Sequence, residues 1–309
     1  MTMVQPQQER IPNPIIEADE LTKRYRTAIG VDRLSFRVNQ GEVFGFLGPN
    51  GAGKTTTIRL MLDLLRPSGG TLRLFGHPVQ KHSMGIRRRC GYLPGHFKPV
   101  ETMTAEHFLA FCAGIRQTED PLLRKAFLKR FELTGKDLHK KLKHLSHGTR
   151  QKIGIVQAFF HRPELLILDE PTNGLDPLMQ EAFYGLVLEA VAGGATVFFS
   201  SHNLAEVEKV CDRVAIIREG RIIACETLAN LKRKRFRRLE LTLQEPLEDL
   251  RIPNAREVSK IGNRRIFIIS GDLGPTLAAV SRLPVADVIL PEPDLEEVFM
   301  AYYKKGENG

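Results

Sequence analysis

A glycine-rich loop followed by lysine and threonine is the part of this sequence with the clearest chemistry. The loop is Gly48-Pro-Asn-Gly-Ala-Gly53 and it precedes Lys54-Thr55, which fits the pattern G-x-x-x-x-G-K-[ST]. Glycines let a backbone turn its N–H groups inward without Cβ clashes, and this creates a concave anion site. The lysine brings a point charge to the β/γ-phosphates, and the threonine hydroxyl can bind Mg²⁺. The spacing therefore predicts a nucleoside triphosphate site.

The segments on either side of the loop are the ones that such a site requires. Val43–Leu47 is an apolar run of strand length, and residues from Thr56 to Leu65 are apolar at helical spacing. The loop would thus join a buried strand to a helix whose N-terminal end adds a positive dipole. We expect the whole loop and the first helical residues to contact the nucleotide: Gly48, Pro49, Asn50, Gly51, Ala52, Gly53, Lys54, Thr55 and Thr56.

Two further apolar strands end in residues that suit phosphate chemistry. Leu165–Leu168 runs into Asp169 and Glu170, and open α/β sheets bind ligands at the carboxyl ends of their strands. We expect Asp169 to hold Mg²⁺ together with Thr55, and Glu170 to orient or deprotonate the attacking water. His202 follows the strand Thr196–Ser200, where its imidazole could contact a γ-phosphate. A surface or capping histidine is the alternative.

A second anion site is indicated at the start of another helix. The segment is Leu145-Ser-His-Gly-Thr-Arg-Gln151. Ser146 is a typical N-cap residue, which alone explains its presence. Its side chain, the Gly148 N–H and the helix dipole also suit an anion.

Composition bounds the class of protein. A chain of 309 residues predicts one large domain and a smaller one. The sequence contains no apolar run of the ~20 residues that span a bilayer and no signal-peptide core, so a cytosolic chain is expected. The net charge of +9 fits nucleotide, anionic lipid, nucleic acid or a mixed solvated surface. The four cysteines lack metal or redox spacing, and we expect reduced buried thiols.

The chain divides into three parts. Residues 1–14 are polar and contain three prolines, which favours a flexible lead-in. Residues 15–229 alternate strands and helices, with an inserted helical segment over about 97–160. Residues 230–309 predict a small α+β domain with three strands and two helices: Leu239–Leu243, Glu257–Lys260, Arg265–Ser270, Leu277–Leu283 and Leu295–Tyr303.

Taken in this order, the motifs over about residues 15–228 resemble the ATP-binding subunit of ABC transporters. The matches are Gly48–Thr55 for Walker A, Leu145–Gln151 for the signature, Leu165–Glu170 for Walker B, Gly174–Asp176 for the D-loop and His202 for the switch histidine. Tyr25 stands where the family stacks an aromatic ring on adenine, with an exposed strand-end tyrosine as the alternative. The resemblance implies an α/β P-loop NTPase core of the ABC ATPase type with an inserted helical subdomain. It also implies ATP and Mg²⁺ as ligands, and nucleotide contacts from Gln151 and Asp176.

The family mechanism needs two such subunits, expected here as a homodimer. Two ATP molecules would lie between head-to-tail subunits, each gripped by Walker A of one chain and by Ser146 and Gly148 of the other. Hydrolysis would open the dimer and drive an integral-membrane permease. The resemblance places the chain on the inner face of the cell membrane. Pro293–Tyr303 resembles the tail of bacterial exporter-type subunits, with an amphipathic helix packing on its own domain as the structural alternative.

Two positions depart from the family pattern. Gly95 stands where the family usually has glutamine, and we expect the neighbouring His96 or a water molecule to substitute. His147 replaces the common third-position glycine of the signature.

Two other functions stay open at this point. A soluble ABC-type ATPase on ribosomes or DNA usually has two cassettes or a long coiled coil, whereas one cassette is found here, with 90 residues and no heptads between Thr55 and Ser146. No nucleic-acid partner is therefore expected. A nucleotide-binding regulator is the other alternative. The basic run 232–238 could contact anionic lipid at roughly 1 kcal/mol per charge, or form a solvated linker.

Overall fold

The computed structural model describes residues 14–117, 120–233, 237–245, 247, 250–269 and 271–290. The chain forms two compact units, Met1–Glu226 and Thr227–Gly309. Most of the expected lead-in 1–14, the side chains of residues 232–237 and the helix expected over Leu295–Tyr303 lie outside the described residues.

The first unit alternates strands and helices, as the apolar runs of the sequence predict. Its strands are β1 Pro14–Arg24, β2 Ile29–Asn39, β3 Val43–Leu47, β4 Gly69–Leu74, β5 His77–Pro78, β6 Cys90–Leu93, β7 Leu165–Asp169, β8 Thr196–Ser201, β9 Arg213–Arg218 and β10 Arg221–Thr227. Its helices are α1 Lys54–Met61, α2 Val79–Arg89, α3 Ala105–Arg116, α4 Pro121–Arg130, α5 Gly135–His139, α6 His147–Phe159, α7 Pro177–Ala192 and α8 Leu204–Val210.

A six-stranded sheet carries the chemistry of the first unit. Its strand order is β10-β9-β3-β8-β7-β6. β3 is parallel to β8 and β9, and β7 is parallel to β6 and β8. Every residue of β3, β7 and β8 is buried, which is why these strands read as unbroken apolar runs. Because the strands are parallel, the loops after β3, β6, β7 and β8 meet at one edge.

An antiparallel sheet covers the phosphate-loop strand. Its order is β2-β1-β4-β5. The ring of Phe36 on β2 lies 5.7 to 6.2 Å, centroid to centroid, from Phe44, Phe46 and Phe198. Aromatic rings at these separations bury large areas and attract one another. This cluster holds β3 and β8 in place beneath the loops they carry.

Four helices, α3 to α6, lie between β6 and β7, in the segment where the sequence predicts helices. Their starts are encoded locally. Thr104 and Asp120 cap α3 and α4 with their side chains, and Thr134 with Asp137 forms a capping box on α5.

Helix α1 is shorter than expected. It ends at Met61 rather than Leu65, and Asp63 has a left-handed backbone with φ 54°, a conformation that cannot continue a helix.

The second unit has a core of its own. Its elements are α9 Leu228–Arg233, β11 Arg237–Leu243, β12 Ala255–Ile261, β13 Arg264–Ile269, α10 Leu273–Val280 and β14 Val285–Ile289. The antiparallel sheet has the order β12-β13-β11-β14, and its buried cluster includes Leu241, Phe267 and Val280. The helix expected over Leu277–Leu283 starts earlier, because Asp272 caps it through the Gly274 N–H, and it ends at Val280.

The cysteines carry free thiols. Cys90 and Cys211 are buried, but Cys225 is exposed, so the expectation of buried thiols was wrong there. Within the described part of the chain, no helix combines the length and the apolarity that crossing a membrane requires.

Candidate nucleotide site

The phosphate loop opens into a cleft of about 400 Å³ at the carboxyl edge of the six-stranded sheet. Gly51 and Gly53 have φ values of +82° and +111°, which favour glycine. A Cβ on Gly48 would lie 2.3 Å from the Ile217 carbonyl oxygen, and one on Gly53 would lie 2.7 Å from that of Gly30. Glycine is therefore required at both ends of the loop by close backbone packing.

The side chain of Lys54 packs against this loop and is buried, with 6% of it exposed. Its ammonium group donates to the carbonyl oxygens of Gly48 at 2.6 Å and Pro49 at 3.2 Å. The same group forms an ion pair with Glu170, at 3.1 Å from Oε1. The carbonyl oxygens of the loop and the Glu170 carboxylate thus hold the positive charge of Lys54 at the cleft.

Asp169, at the end of β7, connects helix α1 with the neighbouring strand β8. Its Oδ2 accepts a hydrogen bond from Thr55 Oγ1 at 2.9 Å, and its Oδ1 accepts one from Ser200 Oγ at 2.6 Å. Adjacent oxygen ligands in an Mg²⁺ octahedron with bonds of ~2.1 Å lie ~3.0 Å apart. The Thr55 and Asp169 oxygens have this spacing, and hydroxyl and carboxylate oxygens are ligands that Mg²⁺ prefers. These two side chains fit Mg²⁺.

The Glu170 carboxylate is held from two sides. Its Oε2 is 2.6 Å from Nδ1 of His202, and its Oε1 faces Lys54. The Glu170 backbone is left-handed, with φ 47°, and its N–H donates to the Ser200 carbonyl at 3.1 Å. Such a backbone is uncommon outside glycine and is often found at functional sites. The carboxylate therefore lies between one cation, the Lys54 ammonium, and the His202 imidazole.

Gly95 and His96 both line the same cleft. A Cβ on Gly95 would lie 3.3 Å from Cγ, Oδ2 and the carbonyl oxygen of Asp169. This is tighter than ordinary van der Waals contact, so a side chain at this position would press on the Asp169 carboxylate. Asp169 would have to shift by a few tenths of an ångström to admit a Cβ at this position. The exposed imidazole of His96 lies beside the cleft.

Some of the residues predicted to contact the nucleotide do not line this cleft. Among the described residues, the cleft is lined by Gly30, Pro49, Asn50, Gly51, Gly53, Lys54, Thr55, Thr56, Arg59, Tyr92, Pro94, Gly95, His96, Asp169, Glu170, Asn173 and His202. Ser146, Gly148 and Asp176 are outside that set. Ser146 caps α6, since its Oγ accepts the Thr149 N–H at 3.1 Å. Asp176 caps α7 through the Met179 N–H at 3.0 Å.

The signature segment and the D-loop pack against each other. A Cβ on Gly148 would be 2.6 Å from the Gly174 carbonyl oxygen, and a Cβ on Gly174 would be 2.3 Å from the His147 ring. Gln151, with 1% of its area exposed, donates from Nε2 to the Pro171 carbonyl at 2.8 Å. Gln151 thus holds the turn after Glu170 instead of facing the cleft.

Tyr25 lies beside the cleft with 44% of its area exposed. Its ring packs over Gly30, where a Cβ would be 2.7 Å from Cε2, and Lys23 Nζ is 5.7 Å from the ring centroid. Because Gly30 itself lines the cleft, the tyrosine ring is next to its entrance.

Five cleft residues were missed from the sequence: Gly30, Arg59, Tyr92, Pro94 and Asn173. Arg59 could have been predicted, since it lies four residues after Thr55 and hence on the same face of α1. No sequence pattern indicated Asn173, because its position depends on the turn that follows Glu170.

The chain is similar to known proteins in family, sequence and structure. Residues 31–173 match the family model described as ABC transporter. The chain is 34% identical to the bacitracin transport ATP-binding protein BcrA of Bacillus licheniformis, over 96% of this chain and 99% of that protein. It is 36% identical to the Nod factor export ATP-binding protein I of Paraburkholderia xenovorans, over 69% of this chain and 71% of that protein.

A solved structure described as the ATP binding subunit of an ABC transporter is 33% identical. It superposes with a TM-score of 0.64, over 71% of this chain and 92% of that one. The similarity to BcrA extends over nearly the whole chain, so it includes most of the second unit.

Proposed function

The chain belongs to the ATP-binding proteins of ABC transporters, and we propose that it hydrolyses ATP to drive a separate membrane permease in the direction of export. The α/β fold of an ABC cassette, expected from the sequence, is confirmed by the structural similarity. One observation carries the proposed hydrolysis: the Glu170 carboxylate lies between the Lys54 ammonium and the His202 imidazole, at 3.1 Å and 2.6 Å. The export direction is supported by the name of one relative, a Nod factor export protein.

Nucleotide binding follows from the loop and the helix behind it. Backbone N–H groups of the phosphate loop and the N-terminal end of α1 receive phosphate oxygens. Lys54 contributes a charge-assisted hydrogen bond from a buried position. Tyr25 stacks on the adenine from the entrance of the cleft. Thr55 and Asp169 would hold Mg²⁺, directly or through water, and the ion would neutralise negative charge on the phosphates.

Hydrolysis requires Glu170 to exchange partners. Phosphate oxygens that reach Lys54 compete with the Glu170 carboxylate for the same ammonium group. Once displaced, the carboxylate can orient the attacking water and accept its proton. His202, whose Nδ1 is 2.6 Å from Glu170 Oε2, would present its other ring nitrogen to the γ-phosphate. Nucleotide binding and preparation of the base are then coupled.

The site is completed by a second copy of the chain. Ser146 and Gly148 form an anion site at the N-terminus of α6, which has 13 residues, yet neither lines the cleft around Lys54. A head-to-tail homodimer with two-fold symmetry brings these residues and Asp176 to the ATP of the partner. Closing and opening of this dimer would move the permease.

The permease supplies the membrane spans, and the chain is peripheral on the inner face of the membrane. We assign ATPase function to residues 15–229 and an accessory role to residues 230–309. The basic run 232–238 is a further contact with anionic lipid, at roughly 1 kcal/mol per charge. No nucleic-acid partner is part of this proposal.

Purification of the chain from gently solubilised membranes tests the proposal. A multi-span protein is expected to copurify, and the complex should hydrolyse ATP in the presence of Mg²⁺. Copurification of ribosomes or DNA instead would contradict the transport function and favour a soluble ATPase.

A further inference from the structure

Glu206 receives hydrogen bonds from a residue beside each proposed catalytic side chain, one in the turn after Glu170 and one at the end of β8, before His202. Thr172 Oγ1 donates to its Oε1 at 2.6 Å, and Ser201 Oγ donates to its Oε2 at 2.7 Å. Thr172 is two residues after Glu170, and Ser201 immediately precedes His202. Both donors are buried, with 4% and 0% of their areas exposed. One carboxylate therefore bridges the two loops.

We propose that Glu206 is a positioning residue for ATP hydrolysis, which holds Glu170 and His202 at their mutual distance; this rests on the proposed function. A carboxylate is an acceptor at both oxygens, so each hydroxyl has its own partner. Hydrogen bonds of a hydroxyl to a carboxylate are short and strong. An amide offers only one acceptor atom, so glutamine could not receive both hydroxyl groups in the same way.

Glu206 belongs to a helix that packs against the core. It is in the first turn of α8, whose Val207 and Val210 are buried at 0% and 6% exposure. Asn203 caps this helix by accepting the Ala205 N–H at 2.9 Å. The position of the carboxylate is therefore set by the helix rather than by a flexible loop.

The Ser200-Ser201 pair extends this support to the rest of the site. The Ser201 carbonyl accepts the Gly48 N–H of the phosphate loop at 3.2 Å, and the Ser200 carbonyl accepts the Glu170 N–H at 3.1 Å. The end of β8 thus contacts the phosphate loop, the acidic pair and His202. Glu206 ties the side chain of Ser201 to the turn at Thr172, which closes the connection between these parts.

Three single variants of the full-length chain test this role: Glu206→Gln, Thr172→Val and Ser201→Ala. Each is expected to lower kcat by about 10- to 100-fold, since small misplacements of catalytic groups have effects of this size. KM and the affinity for a fluorescent ATP analogue should stay within about twofold of wild type, because none of the three lines the cleft. Glu181→Gln, which removes a surface carboxylate paired with Lys209, is the matched control and should leave kcat unchanged.

Double variants separate positioning from general stability. If Glu206 acts by joining the two loops, adding Thr172→Val to Ser201→Ala should lower kcat little beyond either single change. Glu206→Gln with wild-type kcat would overturn the inference, and so would losses in kcat matched by weaker nucleotide binding and earlier thermal unfolding. Ser201→Ala, which removes one oxygen atom, keeps the test valid if a Glu206 variant folds poorly. A wild-type chain that hydrolyses no ATP would instead contradict the proposed function itself.

Discussion

The ammonium group of Lys54 lies 3.1 Å from a carboxylate oxygen of Glu170. Lys54 begins α1 and Glu170 follows β7, so the ion pair joins the two segments that bind phosphate and activate water in our proposal. Both side chains are largely buried, at 6% and 13% exposure. A buried pair is sensitive to loss of either partner. Replacement of either residue should therefore have its own effect on nucleotide binding or hydrolysis.

Replacing Lys54 with alanine should weaken nucleotide binding. Hydrogen bonds to charged groups contribute about 1.5–3 kcal/mol, so the dissociation constant for ATP should rise about 10- to 100-fold. Titration with a fluorescent ATP analogue measures this. Lys209→Ala, on the surface beside Glu181, is the control and should bind like wild type. Equal ATP affinities of Lys54→Ala and wild type would show that the phosphate loop binds ATP without the lysine charge.

Glu170→Gln should retain ATP binding and lose turnover. The amide cannot accept a proton from water, and loss of a general base lowers kcat by about 10²–10⁴-fold. Affinity for ATP should equal or exceed that of wild type, because a neutral residue no longer competes for Lys54. ATP should also trap the closed dimer, which size-exclusion chromatography would detect. Unchanged phosphate release would remove Glu170 from the role of base.

The local part of the site could be predicted from the sequence. The strand Val43–Leu47 has the bounds expected, and the glycine pattern, Lys54 and Thr55 are contiguous in the chain. Asp169 and Glu170 were found because parallel strands deliver their last residues to one edge.

Contacts between distant segments could not be predicted. Gln151 and its partner Pro171 are 20 residues apart, and Thr172 and Glu206 are 34 apart. Their pairing depends on how α6 and α8 pack, which no local pattern encodes. The strand β14 was missed for a similar reason, since its pairing with β11 is the main signal for it.

Gly95→Ala should weaken the response to Mg²⁺. The new Cβ, 3.3 Å from the Asp169 carboxylate, should displace it from Thr55. The Mg²⁺ concentration needed for half-maximal hydrolysis should then rise by about 10-fold, the lower end of the effect of disturbing the surroundings of a metal ligand. ATP affinity in the presence of a chelator should not change. Gly114→Ala is the matched control, because a Cβ there meets open space. The same Mg²⁺ dependence in both variants would show that the close contact has no functional effect.

His161 should make the chain less stable in mild acid. Burial lowers the pKa of its imidazole from 6.5 to about 4, and its Nε2 is 3.2 Å from the Cys90 carbonyl. Since the unfolded chain binds a proton more readily between these two values, stability present above pH 6.5 is lost as pH falls toward 4. From about pH 7.5 to about pH 5.5, His161 should account for about 1 kcal/mol of lost stability.

Urea unfolding at both pH values measures this loss. His161→Gln keeps a donor for the Cys90 carbonyl but has no titrating group, so it should lose less stability than wild type over the same interval. An identical loss in both proteins would assign the acid sensitivity to other residues.

In our proposal two chains share each ATP site. Mixing two variants, at an ATP concentration where each alone hydrolyses little, tests this most directly. Lys54→Ala impairs the phosphate loop, and Ser146→Arg blocks the signature end of α6. In a head-to-tail heterodimer of these variants, one site has both defects and the other has none. Random mixing should therefore restore up to about one quarter of wild-type ATP hydrolysis, since half the dimers are mixed and one of their two sites is intact. Activity of the mixture no greater than that of the separate variants would contradict the shared site.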